Sequence, residues 1–176
     1  MKQSAPSLKY ALLAGAIAII INTALLQMAD LIPLQTAHGG LLKLIDQLFG
    51  NSVQATGLPS LWTHWGLPQV GSPGFQLGFH IFVGLLMAIF YAIAVAPTVP
   101  GPPWVKGIIY ALLLWLANAF IVLPWIGEGV AGSRHLDLAG MAYFAFAHTV
   151  FFLALALLYH RSTGNAQSRS DFRHTR

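Results

Sequence analysis

Two imidazoles and two carboxamides, His80, His148, Asn22 and Asn118, stand inside long apolar runs, one to a run. An imidazole offers a proton that exchanges near neutral pH and a nitrogen that ligates metal. A carboxamide offers two donors and an acceptor, enough to orient a ligand or to tie two helices. In hydrocarbon such groups cost free energy unless paired, so each needs a partner or a task.

Several readings follow from the set. His80 and His148 together make a protonatable pair, with Asn22 and Asn118 orienting a small ligand in a cavity open to one side of a membrane. The same imidazoles on facing helices are the axial ligands a haem iron takes. A metal ion outside the bilayer would draw on His38, His64, Glu128, His135 and Asp137. No dense ligand pattern such as H-E-x-x-H joins those five, and His135 and Asp137 also read as a solvated neighbour and a helix cap. The plainest reading is that the polar groups only hydrogen-bond between helices, each bond contributing about 0.6 kcal/mol. On this last reading the chain is a structural accessory with no ligand.

Enzyme chemistry is not expected. The chain has no phosphate-binding loop, no G-x-S-x-G elbow, no dinucleotide glycine pattern and no paired intramembrane carboxylates. It has no cysteine, so disulfides, thiolate metal sites and cysteine nucleophiles are excluded together. The expectation is a chain without a cofactor, haem and metal being the alternatives.

Each of the four polar residues lies on a segment suited to crossing a bilayer. Of 176 residues, 56% are hydrophobic and only 8% charged, with a mean hydropathy of +0.67. Soluble domains carry roughly 25% charged residues, so this chain has too few to coat a surface in water. Apolar runs over residues 10–28, 75–96, 105–125 and 138–159 are long enough to span as helices, where every backbone polar group finds a partner within its own segment. The expected fold is an all-α, antiparallel bundle of four transmembrane helices. Pro97 and the cluster of Pro100, Pro102 and Pro103 are expected to stop the second run, because proline lacks the amide hydrogen a helix needs. The first run exceeds a signal-peptide core, so it is expected to stay as a helix.

Orientation follows from lysine and arginine. Lys2, Lys9, Lys106, Arg161, Arg169, Arg173 and Arg176 fall on one side of the spans, and only Lys43 and Arg134 on the other. That bias places both termini in the cytoplasm of a bacterial inner membrane. With a rise of 1.5 Å per residue, Asn22, His80, Asn118 and His148 lie roughly 9, 9, 10 and 15 Å below the external surface. The cytoplasmic half holds no comparable residue. Thr23, Gln27, Gln76 and Thr149 add polarity to the same external half.

The first external loop, residues 29–74, carries an amphipathic helix over about 40–49, expected to lie across the outer mouth of the bundle. The remainder of that loop reads as an ordered turn region. Gly127, Gly129 and Gly132 let the third loop turn tightly. Two small-residue patterns promise close helix contact: Gly74 with Gly78, and Ala11, Ala14, Gly15 and Ala18. Residues 1–159 form one membrane domain, and 160–176 read as a disordered basic tail attracted to anionic lipid. No basic face interleaved with aromatics suits nucleic acid. A transporter of four spans is expected to act as a homodimer.

The helix holding His80 and Tyr91, the Gly107 start of the third span, Pro124 followed by Gly127, and His148 with Tyr159 make residues 74–159 resemble small, uncharacterised four-span bacterial inner-membrane proteins. The resemblance implies the four-span fold and no particular activity.

Overall fold

The computed structural model describes residues 7–32, 34, 40–69 and 72–174; within them the side chains of residues 30, 40, 52 and 167–174 are not described. Among these residues there is no strand. Four helices are long and apolar enough to cross a membrane, and they pack as an antiparallel bundle. We label them α1 (Leu8–Leu31), α4 (Pro73–Thr98), α5 (Pro103–Trp125) and α6 (Leu138–His174). Two shorter helices, α2 (Gly40–Ala55) and α3 (Leu58–His64), lie between α1 and α4. The chain is a multi-pass membrane protein.

α1 turns small residues inward and large ones outward. On α1, Ala11, Ala14 and Ala18 are buried, whereas Leu12, Leu13, Ile17 and Ile20 are exposed. Lipid is as apolar as leucine, so helices in a bilayer associate by close packing rather than by hiding leucine from water. A Cβ on Gly15 would come 2.5 Å from Ala88 Cβ, and one on Gly84 would come 2.6 Å from Ile19 Cδ1. Gly107 likewise lies against α6, where a Cβ would meet the Phe152 carbonyl oxygen at 3.0 Å. The small-residue pattern on α1 is thus met by Gly84 and Ala88 of α4. Gly78 has nothing within 4 Å of an added Cβ, so the expected Gly74–Gly78 step is not a helix contact.

Neither proline inside a span stops its helix. Both are accommodated by one widened π-turn, over Tyr91–Val95 in α4 and Asn118–Val122 in α5. The amide of Ala96, just before Pro97, bonds to the Tyr91 carbonyl; that of Leu123, just before Pro124, bonds to the Asn118 carbonyl. Reaching five residues back instead of four opens the ladder where a proline ring would strike a carbonyl. For that reason α4 runs on through Pro97 to Thr98 instead of ending before it. Lys106 then caps α4 from the neighbouring helix, its Nζ donating to the Ala96 carbonyl.

Two other boundaries differ from the sequence reading. α2 extends to Ala55 and ends at Gly57, whose φ of +71° suits only glycine without strain; α3 then starts with Pro59 in its first turn, inside the stretch expected to be turns. α6 continues as helix to His174, where an unstructured tail was expected from His160. No proline interrupts the segment, so the helix already formed in α6 can propagate through it.

Candidate functional site

Three of the four sequence-predicted residues meet at one level of the bundle. The packing of Gly15 against Ala88 and Gly84 against Ile19 sets the register of α1 on α4, one turn from His80. Asn22 is almost fully buried, 1% exposed, and its Nδ2 donates to the Ala147 carbonyl of α6 at 2.8 Å. One turn along, the Tyr143 hydroxyl donates to the Leu25 carbonyl at 2.6 Å, a second tie between the same helices. His148 follows Ala147 directly and is close enough to His80 for the two imidazoles to interact electrostatically.

The tautomer of His148 follows from its partner. Nδ1 lies 2.9 Å from the Phe144 carbonyl oxygen, which can only accept, so Nδ1 carries hydrogen. The basic lone pair of the neutral ring is therefore on Nε2. The Phe144 ring packs on the imidazole with centroids 4.2 Å apart and holds its plane. Across the bundle, His80 Nε2 is enclosed by protein and has no hydrogen-bond partner. An unpaired ring nitrogen at that depth is the least satisfied atom of the site.

Asn118 stands apart from this group. No contact joins it to the two imidazoles or to Asn22 among the described residues. It is half-buried at the first position of the α5 π-turn, and among the described residues it hydrogen-bonds to none of the other three. The additional polar residues also disperse. Thr149 bonds back to Ala145 on its own helix, while Thr23 and Gln27 line a mostly apolar groove of about 410 Å³ between α1 and α4. The imidazoles do not line that groove.

Of the residues considered for an external metal, Glu128, His135 and Asp137 are otherwise engaged, and His64 stands apart at the end of α3. Glu128 Oε1 accepts from Lys43 Nζ at 2.7 Å, and Glu128 Oε2 lies 2.5 Å from His135 Nδ1. Asp137 caps α6, accepting from the Gly140 amide at 2.7 Å. His38 lies outside the described residues. Among the described residues no three His, Asp or Glu come together as a metal-binding group. Haem does not fit the imidazole pair either. A porphyrin needs an open slot between its axial nitrogens, whereas His80 Nε2 is enclosed by packed side chains one turn from the tight Gly84–Ile19 contact.

One polar cluster escaped the sequence reading. At the end of the bundle that carries Lys106, where no comparable residue was expected, Tyr91, Tyr110, Tyr159 and His160 pack together. Its signal was the inward stripe of α6, in which Phe152, Leu155 and Tyr159 repeat at helical spacing from His148. Tyrosine counts as apolar in a hydropathy sum, which hid the hydroxyls.

Comparison with protein-family models, with curated proteins and with solved structures finds no match to this chain. The class of the protein therefore rests on its own architecture, an α-helical membrane bundle of four spans with two half-buried imidazoles on facing helices.

Proposed function

We propose that this is a non-enzymatic protein of a bacterial inner membrane that binds and passes protons through His80 and His148. The observation that carries this reading is His80 Nε2, a titratable nitrogen enclosed in the bundle without a partner and beside a second imidazole. The surrounding packing leaves little space for a larger ligand, and a proton needs none. His148 Nε2 accepts a proton while Nδ1 stays bonded to Phe144, so the ring need not turn. Two imidazolium charges this close repel in a low-dielectric interior, so the pair holds one proton at a time.

The excess of lysine and arginine near the chain ends and Lys106 supports cytoplasmic termini, with α2, α3 and the Lys43–Glu128 contact outside. On that orientation α2 is an external amphipathic helix, and the arginines of α6 beyond Tyr159 attract anionic lipid. A homodimer is the expected working form. The test is proton flux into liposomes holding the purified full-length protein and a trapped pH-sensitive dye. Both His80→Ala and His148→Ala should slow dye response about tenfold or more, the scale of losing a proton-transfer group. Flux equal to wild type in both variants overturns the reading.

A further inference from the structure

Tyr91 is fully enclosed, 0% exposed, yet its hydroxyl has no hydrogen-bond partner. His160 Nε2 is enclosed and unpartnered in the same way. The two rings meet edge-on with centroids 6.2 Å apart, and Tyr159 stands 5.7 Å from Tyr91 and 5.6 Å from His160. Phenylalanine would fill the Tyr91 position at lower cost, because burying an unpaired hydroxyl forfeits its hydrogen bonds to water. Two orphaned polar atoms in one aromatic cluster, one from α4 and one from α6, are complementary: a phenol that donates and accepts, and a nitrogen that does either. The neighbouring Tyr110 is already engaged, its hydroxyl donating to the Met87 carbonyl at 3.2 Å.

We propose that Tyr91 and His160 form a second proton-binding site, in which the phenol and Nε2 share a proton through one enclosed water molecule. A water with two polar partners satisfies both orphaned atoms at once. When a proton reaches the Tyr91 oxygen, the phenol releases its own to the water, and the water passes one of its protons to His160 Nε2. The imidazolium then gives up its Nδ1 proton. Each O–H or N–H bond that breaks is matched by one that forms, and no electrons are transferred.

The titratable and charged groups facing this site are Lys106 and Tyr110 from α5 and Tyr159 from α6. No carboxylate faces it among the described residues. Buried Phe151, Phe152 and Leu155 lie between this site and His148 on α6, so the two sites are separated by an apolar layer. A role for this site in proton transfer across the bundle rests on the His80–His148 reading; the Tyr91–His160 pairing itself does not.

The experiment is nitrogen NMR of the histidine rings in full-length protein in detergent, titrated with pH, comparing wild type with Tyr91→Phe. The His160 midpoint should move by about half a pH unit or more in the variant, with His148 unchanged as internal control. A cooperative thermal transition in Tyr91→Phe close to that of wild type shows that the fold is intact. If His160 titrates identically in both proteins, the pairing is wrong, whatever the liposomes show. If the midpoint moves but wild-type liposomes pass no protons, the site stands and the transfer reading of His80–His148 falls.

Discussion

The Asn22 carboxamide donates to the Ala147 carbonyl at 2.8 Å, immediately before His148 on the facing helix. One buried hydrogen bond thus joins α1 to α6 at the level of the imidazole pair. Replacing Asn22 by alanine should cost about 1–2 kcal/mol, since interhelical bonds in membranes reach about 1.7 kcal/mol and a small void is added. Unfolding in mixed micelles reads the loss. A variant as stable as wild type would show that α1 and α6 are held by apolar packing alone.

Gly15 and Gly78 provide a contrast between a packed and an unpacked glycine. Gly15→Val should destabilise the bundle by about 1–3 kcal/mol, because its added Cβ would fall 2.5 Å from Ala88 Cβ. Gly78→Ala should be neutral, or stabilising by up to about 1 kcal/mol, as nothing lies within 4 Å and alanine is the better helix former. Melting temperatures of the two variants in the same detergent decide the matter. The reverse order would mean that the α1–α4 contact is misplaced.

The contact of α2 with the α5–α6 turn should open in acid. The Lys43 ammonium, hydrogen-bonded to Glu128, and then His135 hold its carboxyl below the ordinary value of 4.5. A carboxylate with a depressed folded-state value stabilises the closed contact fully above that ordinary value, and the contribution is lost as pH falls through the lower folded-state value. The side chain of Lys43 is 56% exposed, so the contact is worth only about 0–1 kcal/mol. As the chain has no cysteine, Gln47→Cys and Val130→Cys allow spin labels at unique sites. Their separation should stay narrow at neutral pH, broaden in acid, and be broad at neutral pH in Glu128→Gln. A distance insensitive to both changes would mean that α2 is held by other contacts.

Ala131 has a φ of +54°, the left-handed region that costs a residue with a Cβ about 1–2 kcal/mol. It sits between Gly129 and Gly132, which share that hand at φ of +78° and +85°. Ala131→Gly should therefore raise stability by about 0.5–1 kcal/mol, the relieved strain being partly offset by glycine's greater freedom when unfolded. A lower melting temperature would argue against this turn geometry.

Much of this could be read from residue order. The four spans follow from charge depletion over stretches of bilayer length, and the small-residue face of α1 was visible as Ala11, Ala14, Gly15 and Ala18. The α2 helix was legible from the apolar periodicity around Lys43, Asp46 and Gln47. Pro97 misled, because a proline removes one amide without saying whether the helix ends there or widens by one residue. The helical run beyond His160 was missed for a related reason: a polar composition describes what a segment cannot bury, and does not say whether a helix already formed runs on through it.

Sequence alone determined that the chain lives in a bilayer as four helices, because desolvating backbone polar groups is so costly that no other spanning form is open to it. It also named His80, His148 and Asn22 as groups that need partners. Register was decided only by tertiary packing. The close approach of Gly15 to Ala88 and of Gly107 to Phe152 lets Asn22 bond beside His148, leaves Asn118 out of that contact, and assembles Tyr91 with His160 from helices nearly 70 positions apart. Those alignments depend on where two backbones can touch, and hydropathy along one chain carries no record of that.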